Sequence, residues 1–108
     1  MVESLKFGDI VLLRFPFTDG INFKKRPALV IHDSKDGDVI VCRITSQMYK
    51  SKYDVIIEDW KESGLKLPSI IRAHKIATLD KEMVEKLMGG LNESTSKKVK
   101  KIIKSLMQ

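Results

Sequence analysis

Five short apolar segments follow one another closely along the chain, and this spacing constrains the fold more than any other feature. Each segment is rich in β-branched and aromatic residues, and clusters of Asp, Ser, Asn and Gly separate several of them. Parallel strands need a crossover of about a dozen residues or more, usually a helix, and the chain leaves no such room. The sequence therefore predicts a mainly β fold, an antiparallel and strongly curved sheet or small barrel. The predicted strands cover residues 10–17, 26–32, 39–47, 53–58 and 70–80, and an exposed loop covers 18–25.

Helical patterns are short until the end of the chain. Residues 58–65 predict a helical turn and residues 81–89 a short helix, because each segment runs into a glycine that can end it. The last segment predicts an amphipathic helix, since its apolar side chains recur at helical spacing. They are Val99, Ile102, Ile103, Leu106 and Met107, with Asn92 or Ser94 as the cap. The 108 residues then form one domain, a barrel over about 7–79 with helices over about 80–107.

The bulk composition fits an ordinary cytosolic globular protein. Apolar residues make up 43% and charged residues 31% of the chain, and no apolar run is long enough to cross a membrane. The first residues lack a signal-peptide core, and a single cysteine, Cys42, allows no internal disulfide. The chain carries no P-loop, dinucleotide fingerprint or metal-ligand spacing. We therefore expect neither a nucleotide cofactor nor a metal ion.

The net charge of +6 is typical of proteins that bind nucleic acid, but its distribution weakens this inference. Five lysines and one glutamate lie in the segment 92–108, so most of the excess belongs to the terminal helix. A solvated lysine face explains such a run at least as well as a nucleic-acid patch.

Polar side chains at strand ends form the candidate site. In a curved sheet, three separate segments can converge on one concave surface. Arginine binds phosphate through its planar guanidinium group, and histidine titrates near neutrality. A set of such side chains suits metal-free RNA cleavage through the 2′-hydroxyl. In that reaction cations and donors surround the crowded phosphorane. The candidates are Arg26 with Lys24 and Lys25, then Thr45, Ser46 and Gln47, and then Arg72 and His74 on one strand face with Lys75 on the other.

Each candidate also has a plain structural interpretation. A lone histidine in a strand is more often structural than catalytic, and Thr45 and Ser46 can simply close a strand. Arg26 follows two lysines, as a solvated loop end often does. Composition and periodicity alone do not decide between these interpretations and the nuclease.

Four segments resemble, in order and spacing, the MazF/PemK family of toxins from toxin–antitoxin pairs: GDIVLLRFPF, KKRPALVI, CRITSQ and PSIIRAHKIATLDK. The resemblance covers nearly the whole chain, from Gly8 through the terminal helix. It implies an SH3-like barrel with appended helices that works as a homodimer. It also implies a metal-independent, sequence-selective endoribonuclease that cuts single-stranded RNA, often messenger RNA, to 2′,3′-cyclic phosphate and 5′-hydroxyl ends. A cognate antitoxin would occupy the RNA groove, and the pair would bind operator DNA chiefly through the antitoxin.

The resemblance also suggests roles for particular residues. The arginine of the family's R-P motif falls on Arg26, which implies phosphate stabilisation, and the hydroxyl of its I-T-x-Q motif falls on Thr45. Some members carry an arginine and an acidic base where this chain has Arg72 and His74, so the base here is of a different type. Another branch uses glutamine where this chain has Lys75.

Two other functions stay open at this stage. CcdB-like toxins share the fold but trap DNA gyrase without cutting RNA. A catalytically inactive module could instead hold nucleic acid through Lys24, Lys25 and the terminal lysines.

Overall fold

The computed structural model describes residues 4–108, which form a six-stranded sheet followed by one α-helix. Neighbouring strands are antiparallel throughout, in the order β4-β5-β3-β2-β1-β6. The predicted mainly β, antiparallel fold is therefore confirmed. The elements are β1 (Asp9–Pro16), β2 (Phe23–Asp33), β3 (Asp38–Thr45), β4 (Asp54–Ile57), β5 (Ser69–Asp80), a 3₁₀ turn (Lys81–Met83), β6 (Val84–Gly90) and α1 (Glu93–Ser105).

The sheet curls until its two edges approach each other. Strands β4 and β6 form these edges, and the turn after β4 lies directly against β6. A Cβ atom added at Gly64 would collide with the backbone of Met88, and one added at Gly89 would collide with that of Ser63. No ladder of hydrogen bonds joins β4 to β6 within residues 4–108. The result is a curled sheet that is not closed into a complete barrel.

The chain between β4 and β5 makes the helical turn that the sequence predicts for 58–65. The N–H of Leu65 donates to the carbonyl of Trp60 at 2.9 Å, and the N–H of Gly64 donates to that of Lys61 at 3.0 Å. This pair of bonds is the usual ending of a helix at a left-handed glycine, and Gly64 has a φ of +92°. The turn thereby presents its glycine backbone to β6.

The helix predicted over 81–89 is wrong. Only Lys81–Met83 are helical, as a single 3₁₀ turn that Asp80 caps, and Val84–Gly90 form β6. Strand β6 pairs with β1, whose buried backbone would otherwise lack partners on that side. The helix propensity of Glu, Lys, Leu and Met is a weak preference that this pairing overrides. The sheet therefore extends well beyond the predicted boundary near residue 79.

The loop predicted at 18–25 is also shorter than expected. Strand β2 already begins at Phe23, so that β1 and β2 form a tight hairpin. The Asp19 carboxylate accepts two backbone N–H bonds across the tip, at 2.9 and 3.0 Å. Lys24 and Lys25 consequently lie on a strand with fixed directions, not in a loop.

Helix α1 covers one face of the sheet. Asn92, one of the two caps that the sequence allows, caps its start by accepting the N–H of Thr95 at 2.8 Å. The first part of the apolar stripe packs against the core, but Leu106 and Met107 follow the end of the helix and stay exposed. Within residues 4–108, no helix is long and apolar enough to cross a membrane. The stripe residues that reach the core are Val99, Ile102 and Ile103.

Candidate active site

A basic cleft of about 940 Å³ opens on the sheet, lined by residues of β1, β2, β3, β5 and β6 and of the chain before β5. Among its lining residues in the described chain, seven are cationic and none is a carboxylate. Its floor is apolar, formed by side chains such as Leu13, Ala28 and Val41. A concave surface of one charge sign attracts a polyanion. The seven cations are Lys24, Lys25, Arg26, Arg43, Lys66, Lys75 and Lys86.

Strand β2 places Arg26 in this cleft with its side chain exposed. The antiparallel register sets it opposite Leu13 of β1. Its Nη1 donates one long hydrogen bond, 3.3 Å, to the carbonyl of Lys25. A guanidinium carries five N–H donors, so most of them remain for an incoming anion. The geometry suits the phosphate contact predicted for this arginine.

Strand β3 ends in a turn that brings two hydroxyls and an amide to the cleft. The N–H of Gln47 donates to Oγ1 of Thr45 at 3.1 Å, which fixes the oxygen and leaves the hydroxyl proton as a donor. Ser46 lies between them and also lines the cleft. Next, the N–H of Tyr49 donates to the carbonyl of Gln47 at 3.0 Å. The turn can therefore offer hydrogen-bond donors to phosphate oxygens.

Most of the predicted site residues meet in this cleft. Lys25 also pairs with Glu85 of β6 at 3.0 Å, so part of its charge is balanced within the protein. The structure brings together seven predicted residues: Lys24, Lys25, Arg26, Thr45, Ser46, Gln47 and Lys75.

Arg72 is not among the residues that line the cleft, although it lies nearby. It stands opposite Arg43 of β3 and Asp54 of β4, so all three share one face of the sheet. Its Nε donates to Oδ1 of Asp54 at 2.9 Å, and its guanidinium carbon lies 3.8 Å from the ring centroid of Tyr49. Only 13% of the Arg72 side chain and 3% of the Asp54 side chain are exposed. Protein groups therefore occupy Nε and one face of this guanidinium.

His74 also lies outside the cleft lining, because β5 does not alternate regularly here. Arg72 pairs with Arg43, but the next paired residue of β5 is Ile76, so residues 73–75 form a bulge. A bulge redirects side chains that strict alternation would place on fixed faces. The His74 ring stacks on Tyr53, with ring centroids 4.5 Å apart. Lys75, the next residue, lines the cleft.

The charges around Arg72 change the titration of its neighbours. Burial raises the pKa of Asp54, but hydrogen bonds from Arg72 and Ser51 and the arginine charge outweigh it, so that this pKa is lowered overall. Partial burial lowers the pKa of His74, and the nearby charges of Arg72 and Lys75 lower it further. The Nδ1 atom of His74 is buried and finds no hydrogen-bond partner in the described chain. These surroundings therefore favour the neutral form of the His74 imidazole.

Sequence reasoning missed three cations of the cleft. Arg43 lies two residues before Thr45 on β3, so period-two alternation was a signal that could have placed it on the same face. Lys86 lies in the segment where the sequence predicts a helix, so that prediction does not place it on strand β6 beside the cleft. Lys66 lies in the irregular segment before Pro68, where no periodicity points to a face. Within residues 4–108, no three His, Cys, Asp or Glu side chains lie close enough to hold a metal ion.

The curled sheet and its cleft define a small β protein with a surface for polyanions. Residues 6–107 match the family described as PemK-like, MazF-like toxin of type II toxin-antitoxin system. Because the match spans nearly the whole chain, the protein belongs to this toxin family, and the predicted resemblance is confirmed. No curated protein sequence matches the chain.

Solved structures share the fold at low sequence identity. An endoribonuclease from a mycobacterial species, in complex with its cognate antitoxin, is 16% identical, with a TM-score of 0.76 over 96% of this chain and 95% of that chain. MazE-MazF from Deinococcus radiodurans gives 20% identity and a TM-score of 0.79, covering 95% of each chain. The Mycobacterium tuberculosis toxin MazF-mt6 is 18% identical, with a TM-score of 0.71 over 90% of this chain and 95% of that chain. Likeness at these identities establishes the fold.

Proposed function

We propose that this toxin is a sequence-selective endoribonuclease that binds single-stranded RNA, such as messenger RNA, in the basic cleft. The observation that carries the proposal is that Arg26 and Thr45 line one hollow whose lining, within residues 4–108, has seven cations including Arg26 and no carboxylate. Its volume of about 940 Å³ is near the upper end of ordinary ligand pockets, so a segment of an extended strand fits inside. A polyanionic backbone is the ligand that this charge pattern selects. Membership of a family of toxins, with endoribonucleases among its structural neighbours, supports the same conclusion.

The proposed reaction is transesterification at the scissile phosphate. The 2′-oxygen forms a bond to phosphorus and loses its proton to a base, while the bond to the 5′-oxygen breaks and that oxygen takes a proton from solvent water. The products carry a 2′,3′-cyclic phosphate and a 5′-hydroxyl. Arg26 faces the negative charge that grows on the non-bridging oxygens, and the Thr45 and Ser46 hydroxyls donate to them. These contacts strengthen as the phosphorane forms, which is the requirement for catalysis.

The proton acceptor in this proposal is His74. Its pKa is lowered by partial burial and by the charges of Arg72 and Lys75, which favours the neutral imidazole with a lone pair available for a proton. The ring stacks on Tyr53 and not in the cleft, so contact with a 2′-hydroxyl requires the bulge at 73–75 to rearrange when RNA binds. Lys24, Lys25, Gln47 and Lys75 line the cleft and would hold the flanking backbone and bases of the strand.

The same cleft is the proposed binding surface for an antitoxin. Seven cations, with no carboxylate from the described chain in the lining, favour an acidic and partly disordered segment that folds as it binds. Such a segment would exclude RNA by direct competition. A homodimer and joint binding of operator DNA with the antitoxin stay predictions from the family resemblance.

The decisive experiment incubates the purified chain with a long unstructured RNA in EDTA and maps the cut sites and the end groups. We expect cleavage without added metal, and a loss of at least about 100-fold in kcat for Arg26→Ala, because a donor to the transition state is removed. Lys101→Ala is the matched control, since it removes an exposed cation from α1 and should cleave normally.

Three results would contradict the proposal. Cleavage that needs a divalent ion would exclude this mechanism. Growth arrest with intact RNA would favour a gyrase poison, and salt-sensitive RNA binding without product would favour an inactive binding module.

A further inference from the structure

We propose that Arg72 is a positioning residue, which holds the turn from Thr45 to Gln47 in its reactive geometry through the ring of Tyr49. This inference rests on the proposed function, because the turn is assumed to contact the scissile phosphate. It assigns Arg72 a role that differs from the direct contact implied by the family resemblance.

An unbroken series of contacts leads from the cleft to Asp54 on β4. The Thr45 hydroxyl oxygen accepts the N–H of Gln47 at 3.1 Å, and the Gln47 carbonyl accepts the N–H of Tyr49 at 3.0 Å. The Tyr49 ring lies 3.8 Å from the Arg72 guanidinium carbon, and Arg72 Nε lies 2.9 Å from Asp54. Each step is a direct contact, so a displacement at Arg72 is transmitted to the hydroxyl in the cleft.

The far end of this series is rigid. The side chain of Asp54 is 3% exposed, and it accepts a second hydrogen bond, 2.8 Å, from the Ser51 hydroxyl. Strands β4 and β5 pair directly at Asp54 and Arg72, which fixes the backbone of both partners. The guanidinium is thus held in one place, as a support for the Tyr49 ring must be.

The near end of the series needs such a support. Ser46, Gln47 and Met48 are exposed, and they lie beyond the last ladder pair of β3, between Thr45 and Ile70. A segment with exposed side chains and no ladder bonds opens easily. Displacement of a catalytic group by about 1 Å can cost about 100-fold in rate. The cation–aromatic contact restrains this turn where the sheet no longer does.

The burial of the Arg72–Asp54 pair argues against direct contact of Arg72 with the phosphate. If the guanidinium turned towards RNA, the Asp54 carboxylate would stay buried without its partner, which is strongly unfavourable. Arg26 has an exposed guanidinium without a carboxylate partner in the described chain, and it can bind an anion at no such cost.

The test is a double-mutant cycle on RNA cleavage in which Arg72→Met is always combined with Asp54→Asn, so that the ion pair is replaced as one unit and no buried charge is stranded. Tyr49→Leu removes the ring, Arg72→Met removes the cation, and Tyr49→Phe keeps the ring as a control. We expect each of the first two to lower kcat between about tenfold and 100-fold with little change in KM, since the turn is displaced while the cleft cations stay. We expect Tyr49→Phe to retain most of the rate, and the two losses together to be no larger than one alone.

A different pattern would overturn the inference. If Arg72→Met multiplied the loss caused by Tyr49→Leu, Arg72 would act on the substrate directly. If Tyr49→Leu cleaved RNA normally, the ring would have no positioning role.

A measurement without RNA separates this inference from the proposed function. NMR shifts of the Thr45 methyl group and the Gln47 amide should move when Arg72→Met is combined with Asp54→Asn, which leaves the Tyr49 ring in place, and should stay near wild type in Tyr49→Phe. Unchanged shifts in the chain that lacks the Arg72 cation would contradict the positioning role whether or not the protein cuts RNA. Shifts that move in a chain that does not cut RNA would contradict the proposed function alone.

Discussion

Breaking one ion pair beside the cleft should strengthen RNA binding, and the structure sets the size of the effect. Lys25 pairs with Glu85 at 3.0 Å, so six of the seven cations are left for RNA phosphates. Each phosphate neutralised on a single strand contributes about −0.7 to the slope of log affinity against log salt. Six contacts give a slope of about −4 per chain, or a loss of about 300-fold in affinity between about 50 and 200 mM salt.

The substitution Glu85→Gln removes the acidic partner and frees Lys25 for a seventh contact. The slope should then steepen by up to about 0.7, with tighter binding at low salt. Glu93→Gln is the matched control, because it makes the same chemical change in an ion pair with Lys97 on helix α1, at 3.4 Å. Fluorescence anisotropy with a short single-stranded RNA, methylated at its 2′-hydroxyls to block cleavage, measures both slopes.

The reasoning fails under either of two outcomes. A slope near zero for the wild-type protein would mean that RNA does not replace counterions in the cleft. Equal changes for Glu85→Gln and Glu93→Gln would mean that net charge, and not the position of Lys25, controls binding.

Two further predictions concern stability. Gly64→Ala should lower the free energy of unfolding, measured in urea, by at least about 2 kcal/mol more than Gly20→Ala does. Both glycines have positive φ, but only Gly64 abuts the backbone of Met88. Equal losses of unfolding free energy would show that the contact between the sheet edges is not tight. The hydrogen bond from Lys81, followed by backbone N–H bonds, lowers the pKa of Asp33 from 3.8 to about 2, so its stabilisation is complete above about pH 4 and is lost as the pH falls towards 2. Lys81→Met should therefore flatten the dependence of unfolding free energy on pH between 4 and 2, and a slope equal to wild type would contradict this.

The sequence predicts the strands well where burial on the sheet determines the pattern. The segments at 39–47 and 70–80 correspond closely to β3 and β5, because short runs of alternating or continuous apolar residues are typical of buried strands. It fails at 81–89, since the residues there favour a helix locally and become a strand only because β1 needs a partner. The need of β1 for a partner arises only in the folded sheet, so no pattern within residues 81–89 indicates it.

Some residues of the candidate site could likewise be placed from the sequence, and others could not. The motifs around Arg26 and Thr45 lead to the cleft because both residues lie on regular strands whose register follows the apolar pattern. The prediction for Arg72 and His74 assumed an unbroken alternation, and the bulge at 73–75 interrupts it. The partner of Arg72 is Asp54, on a different strand, and no spacing rule connects the two.

Two arginines of one chain thus differ in what their surroundings allow. Arg26 projects from an exposed position with no carboxylate partner among residues 4–108, so it can bind a phosphate without breaking an ion pair. Arg72 would have to leave a buried carboxylate and an aromatic ring, and the cost of that exchange favours a fixed support. A motif specifies the residue type but not this difference. A chain with a neutral, small residue in place of Asp54 would release the guanidinium, so the carboxylate on β4 decides which role this arginine can take.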